Sequence, residues 1–180
     1  NGTLPTLQGG DNPPLWETGA ILRYLASRYA PESFWPADPM ARAEIDKWAE
    51  WAKINVAGGF TVPVFWRVVR TPPSQRDPTA TKKALARLGK FLGVAETRLA
   101  AHPYLAGEHL TLADIQFGHC LYRYFDIDIE RAAFPSLLSY YEALTARPAF
   151  RERVMVSYEE LRQTDLASPR TLFVSAAPTR

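Results

Sequence analysis

LPTLQGGDNPPLWETGAILRYLASRY, residues 4–29, sets a proline-bearing apolar run beside a polar turn and an amphipathic stretch that opens on Glu17 and Thr18. The run TLPTLQ (3–8) predicts a strand, GGDN (9–12) a turn, and the residues after it a brief second strand. From Thr18, the apolar positions Ile21, Leu22, Leu25 and Tyr29 follow helical spacing, and Pro31 stops the helix. A proline lacks a donor and is confined to strand edges, starts or bulges, so Pro5 marks an exposed edge. Backbone groups at Leu4 are then available to an extended peptide. A cis Leu4-Pro5 bond would explain a tight entry, but spacing alone does not establish it.

Glu17 and Thr18 admit two readings. One is a plain helix cap. The other is a ligand site, because a helix N-terminus offers unpaired amides and a positive dipole end that favour a carboxylate. A Thr18 hydroxyl adds a bond to that anion and the Glu17 carboxylate receives an ammonium, a combination suited to the zwitterionic end of an amino acid.

Downstream, PESFWPADP (31–39) is a proline-punctuated connector, and everything after it reads as helix. Between Met40 and about Val69, Ile45, Trp48, Ala49, Ala52 and Val56 form one apolar stripe. Pro63 should kink this helix without breaking it, since the carbonyl that its ring crowds belongs to Gly59 and glycines accept the bend. RTPPSQRDPT (70–79) predicts a polar loop with a mobile tip. A second long helix carries Leu85, Leu88, Leu92, Ala95 and Leu99 as a bundle seam. Two more helices follow, Leu112 to about Phe125 and Pro135 to about Ala146, and residues 164–180 read as a tail. The sharpest local signal is LTLADI (110–115): Thr111 as N-cap, Asp114 returning the bond, and Leu110 stapled to Ile115. Its meaning is architectural rather than catalytic.

The 21 basic and 19 acidic residues are interspersed, leaving no footprint for nucleic acid. No apolar run approaches the roughly 20 residues of a membrane helix, and no leader precedes the first strand. The single cysteine, Cys120, sits inside a predicted helix as a small core residue and fits a reducing, cytoplasmic setting. His102, His109 and His119 lack metal-ligand spacing, so no metal is expected.

LPTL (4–7), LWETGAILRYLASRY (15–29), HPYLAGEHLTLADI (102–115) and FPSLLSYYEALTARPAFRERV (134–154) together resemble the cytosolic glutathione transferases. The match runs from residue 2 to about 154, and motif order and separation agree. Its tone is bacterial, with VFWRVVRTPPSQRDP (64–78) resembling a proteobacterial subgroup. The resemblance implies a mainly α chain: the remnant of a thioredoxin-like α/β domain (a hairpin plus a helix, residues 1–30), a linker (31–39), an all-helical C-terminal domain (40–163) and the tail. It implies glutathione as co-substrate, a small hydrophobic electrophile as second substrate, and a homodimer to which the Trp48 and Trp51 region contributes or in which both are intramolecular core.

Carried across, Pro5 resembles the family's cis-proline, Leu4 supplies backbone bonds to the cysteinyl unit, and Glu17 and Thr18 hold the γ-glutamyl end. Thr18 stands where serine is usual. Trp66, Arg67, Arg70 and Tyr122 are the candidates for the electrophile pocket, against packing for Trp66 and solvent for the arginines. The family's thiol-activating residue lies on the turn after the first strand, upstream of Asn1, and the sequence is therefore expected to be N-terminally incomplete. Lowering a thiol pKa from ~8.5 to ~6.5 takes about 2.7 kcal/mol of preferential thiolate stabilisation, and no residue here matches that role. The implied activity is attack of a glutathione thiolate on an electrophile; the alternative is a binding module without turnover.

Overall fold

A computed structural model of the chain describes residues 4–165. Strands β1 (Thr6–Leu7) and β2 (Leu15–Trp16) form an antiparallel hairpin, with Thr6 opposite Trp16 and Leu7 opposite Leu15. They are shorter than the predicted run. The turn between them uses Gly10 at φ 57° and an Asn12 side chain that donates to the Gly9 carbonyl. Helix α1 (Thr18–Tyr29) follows after a single residue and buries Gly19, Ile21 and Ala26. Tyr29, expected on its apolar stripe, is 71% exposed, and its hydroxyl accepts from Arg28 Nε. As the last residue of the helix it projects past the surface that α1 packs on.

The connector is folded onto the bundle. Trp35 is buried, its indole donates to Ser27 Oγ, and Arg42 donates to the Pro36 carbonyl. The next helix begins at Pro39, one residue before the predicted start, because Asp38 caps it by accepting from the Ala41 amide at 2.7 Å. The same Asp-Pro pair opens α5 (Pro78–Ala101), where Asp77 accepts from the Ala80 amide. The loop before it therefore ends at residue 77, not 79. Its tip was expected to be mobile, yet Ser74 donates through both its amide and its hydroxyl to Asp165, and the Gln163 amide donates to the Val69 carbonyl. The chain's return to this end of the bundle ties the loop down. The rest of the predicted tail, residues 166–180, lies outside the described residues.

The long first helix of the bundle is continuous from α2 (Pro39–Trp51) to Val69, with right-handed helical backbone at each junction. Two stretches, Ala52–Ala57 and Thr61–Trp66, widen into π-helix on either side of α3 (Gly58–Phe60), before α4 (Arg67–Val69) closes it. Pro63 falls in the second wide stretch. The helix thus accommodates the missing amide by a change of hydrogen-bond register rather than by a break. Ile45, Ala49, Ala52 and Val56 are buried as the stripe predicts, and Leu88, Leu92, Ala95 and Leu99 line the seam of α5.

Helix α6 (Leu112–Asp126) is the central rod, buried on more than one face through Leu112, Gln116, Phe117, Cys120, Leu121 and Tyr124. It packs against α1, α2 and α7 (Pro135–Thr145). A short α8 (Pro148–Arg153), not anticipated from sequence, follows; Arg151 donates to the Thr145 and Ala146 carbonyls at the end of α7.

Phe134, the N-cap of α7, supplies no capping bond. Instead Glu96 of α5 accepts from the Ser136 and Leu137 amides at 3.1 and 2.8 Å. Desolvation raises the Glu96 pKa, but the two amides, with Ser136, outweigh it and hold the carboxyl below its ordinary 4.5. Glu96→Ala should cost about 1 kcal/mol at neutral pH. Because the folded pKa is depressed, this contribution is present above the unfolded pKa and lost as pH falls through the folded value. Urea unfolding of the two proteins at pH 7 and again well below pH 4.5 should show the difference shrinking.

Candidate functional site

One residue joins β2 to α1, and reversing the chain there forces Glu17 to φ 70°, ψ 120°. Among the described residues it is the one non-glycine residue at positive φ, a conformation that costs a side-chain-bearing residue free energy and persists where the surroundings over-determine it. Its side chain makes no capping bond to α1, and the first turn of that helix contains no acid. This decides between the two readings of Glu17: it is not a side-chain cap. Its carboxylate instead faces Lys53 Nζ at 3.4 Å, in the first π-helical stretch, with both groups more than a third exposed.

Thr18 lines a cleft of about 300 Å³ with Leu22 of α1, Lys53 and Ala57 of the long helix, and Ile115, Gln116 and His119 of α6. Register places Pro5, the residue before the Thr6–Trp16 pair, at the same end of the hairpin as Glu17. The Leu4–Pro5 peptide is cis, and Leu4 is 92% exposed. An exposed chain edge, a carboxylate, a hydroxyl and a helix N-terminus thus lie at one end of one small unit. Together they suit an extended peptide carrying a free amino acid end.

Behind α1, Arg23 donates to Asp46 and pairs with Glu50 of α2, fixing the helix against the bundle. Gly19 lies against this junction: a Cβ there would sit 2.9 Å from Arg23 Nη1 and 3.6 Å from Glu50 Oε1. A methyl group there would need only the flexible end of the Arg23 side chain to shift.

The far wall of the cleft was not singled out in the sequence. Lys53 and Ala57 both lie in the first π-helical stretch and line the cleft opposite Thr18. His119 reaches solvent, yet burial of its ring base lowers its pKa; the Ile115 carbonyl opposes this and Arg123 adds to it. Cys120 is buried and burial pushes its thiol up to about 12, so it serves as core and not as a nucleophile. Among the described residues no group of three or more His, Cys, Asp or Glu side chains is arranged for a metal ion.

The four electrophile-pocket candidates diverge. Trp66 and Arg70 are exposed, with the guanidinium 4.7 Å over the indole ring. Arg67 lines a separate groove of about 740 Å³ with Val68, Leu85 and Phe134. Tyr122 is half-buried with its ring edge-on to Tyr158 at 6.1 Å. None of the four lines the Thr18 cleft. Trp48 and Trp51 pack within the chain, 5.4 Å apart and T-shaped, with Trp51 also 6.0 Å from Phe117 and Arg98 over Trp48.

Comparison with known proteins agrees with this architecture. The profile of the glutathione S-transferase C-terminal domain matches residues 60–148. Glutathione S-transferase GstB of Escherichia coli is 31% identical over 157 residues, covering 87% of this chain and 75% of GstB. The theta class glutathione S-transferase of Xanthomonas axonopodis pv. citri is 42% identical. Its apo structure superposes with a TM-score of 0.79, covering 85% of this chain and 80% of that one. Its glutathione-bound structure gives 0.81, with 87% and 74% covered. At this identity and coverage, the chain belongs to the glutathione S-transferase family.

Proposed function

We propose that this chain is a glutathione transferase in which Glu17 receives the ammonium and Thr18 the carboxylate of the γ-glutamyl end, while the exposed backbone at Leu4 and Pro5 pairs with the cysteinyl unit. The observation that carries the reading is Glu17: a residue held at positive φ whose side chain makes no capping bond to its own helix and instead meets Lys53, which lines the cleft. The reaction is attack of the glutathione thiolate on an electrophilic carbon or heteroatom, with departure of a leaving group.

For the electrophile, Trp66 and Arg70 are the pair that remain open to a second substrate, offering an aromatic face and a cation. Arg67 faces the separate groove beside Val68 and Leu85, and Tyr122 packs on Tyr158. The proposed division is residues 1–30 for the remnant of the first domain, a connector at 31–39, and a helical domain from 40 to 163. A homodimer of bacterial type, acting in the cytoplasm on small apolar electrophiles, is the accompanying proposal. Ile54 and Val62, exposed on the long helix, supply apolar surface for a second copy. No helix among the described residues is long and apolar enough to cross a membrane.

Calorimetric titration with glutathione tests the site. Thr18→Val removes one hydroxyl and keeps the branched shape, so affinity should fall about tenfold with the melting temperature unchanged. An unchanged affinity would remove Thr18 from the site. Turnover with an aryl halide, measured on the full protein, separates the transferase from a binding module that retains glutathione without consuming it.

A further inference from the structure

A zwitterion presents two opposite charges a few ångströms apart, and the site as described meets only one of them with a full charge. Glu17 answers the ammonium. The carboxylate is left with a neutral hydroxyl and helix amides, although Lys53 Nζ stands 3.4 Å from Glu17 Oε2 and lines the same cleft as Thr18. We propose that Lys53 is the cation that recognises the α-carboxylate of the γ-glutamyl end, an assignment that rests on the glutathione reading of this site.

Three features support it. Among the described residues Lys53 is the one lysine or arginine lining the cleft; the imidazole there, His119, has its pKa lowered by burial, which disfavours its cationic form. Arg23, which also lies near the opening of α1, is occupied by Asp46 and Glu50. The first π-helical stretch, Ala52–Ala57, contains both long-helix residues that line the cleft, Lys53 and Ala57, and π-helical turns are frequent at functional sites.

The contact between Lys53 and Glu17 is longer than the 2.7–2.9 Å of a close charged hydrogen bond and is open to solvent. Such a pair is worth little in itself and is readily exchanged. On binding, the ammonium takes Glu17 and the carboxylate takes Lys53. One loose ion pair becomes an alternating row of four charges, and no charge in the site is left without a counterpart.

The test is calorimetry of the full protein with two tripeptides: glutathione, and 4-aminobutyryl-cysteinylglycine, which lacks only the α-carboxylate. The native protein should bind glutathione at least tenfold more tightly, Lys53→Met should bind the two within twofold of each other, and Lys53→Arg should recover most of the preference. Melting temperatures read alongside should stay level, since the ion pair lost is exposed. A Lys53→Met protein that still prefers glutathione tenfold overturns the assignment and gives the carboxylate to Thr18 and the amides of α1. A native protein that binds both peptides equally also overturns it while leaving the glutathione site standing. Failure of the native protein to bind either peptide removes the glutathione reading and Lys53 with it.

Discussion

Asp114→Ala is expected to destabilise the protein by about 4 kcal/mol, read as a fall in the urea midpoint and a melting temperature lowered by roughly 10 °C. The carboxylate is 2% exposed and accepts four bonds: from the Thr111 amide at 2.8 Å, the Thr111 hydroxyl at 3.1 Å, the Leu105 amide at 3.1 Å and the Tyr140 hydroxyl at 2.9 Å. Thr111 and Asp114 form the capping box of α6, while Leu105 and Tyr140 bring the preceding turn and α7 to the same atoms. Truncation strands several buried donors at once, each costing about 1–3 kcal/mol, against a total stability of about 5–15 kcal/mol for a domain. Asp114→Asn should cost less, about 2 kcal/mol, because one amide oxygen still accepts while the amide nitrogen faces donors. Equal effects of the two substitutions would mean that charge, not acceptor count, holds the junction.

Protonation does not mimic this loss. Desolvation raises the Asp114 carboxyl above its ordinary value, against the opposing pull of the Thr111 and Leu105 amides and the Tyr140 and Thr111 hydroxyls. A raised folded pKa contributes stability that is fully present below the unfolded pKa and is lost as pH rises through the folded one. Acid sensitivity therefore comes from carboxyls shifted the other way, Glu96 among them.

Glu17→Gly should separate binding from stability in opposite directions. Glutathione affinity should fall by about 30-fold, the order expected when a charged hydrogen-bond acceptor worth about 2 kcal/mol is removed. Stability should stay level or rise by about 1 kcal/mol, since glycine adopts positive φ without the cost that a Cβ imposes and the exposed pair with Lys53 contributes little. Glu17→Ala removes the same carboxylate but keeps the Cβ, so it should lose affinity alike without the gain in stability. A structural Glu17 would behave otherwise: both variants would melt lower and glutathione affinity would be unchanged.

Most of the fold is legible locally. The stripe from Ile45 to Val56, the seam from Leu88 to Leu99 and the capping box at Thr111 and Asp114 are patterns within one or a few helical turns, where side-chain spacing and backbone geometry are coupled directly. The same holds for the Asp-Pro helix starts at 38–39 and 77–78, a signal that spacing of apolar residues alone passes over. The pairing of an acid and a hydroxyl at Glu17 and Thr18 was visible too, as chemistry without a decision between cap and ligand.

What the sequence by itself determined is therefore the element order, the buried faces and the residue types at the mouth of α1. Tertiary structure alone decided that Glu17 stands at positive φ and faces Lys53, 36 positions away; that Glu96 caps α7 from 40 and 41 positions away; and that Tyr140 completes the Asp114 cluster from 26. The physical reason is common to all three. A carboxylate is satisfied by whichever donors the packed helices bring within about 3 Å. That choice depends on how the helices cross, so it exists only once the bundle has closed.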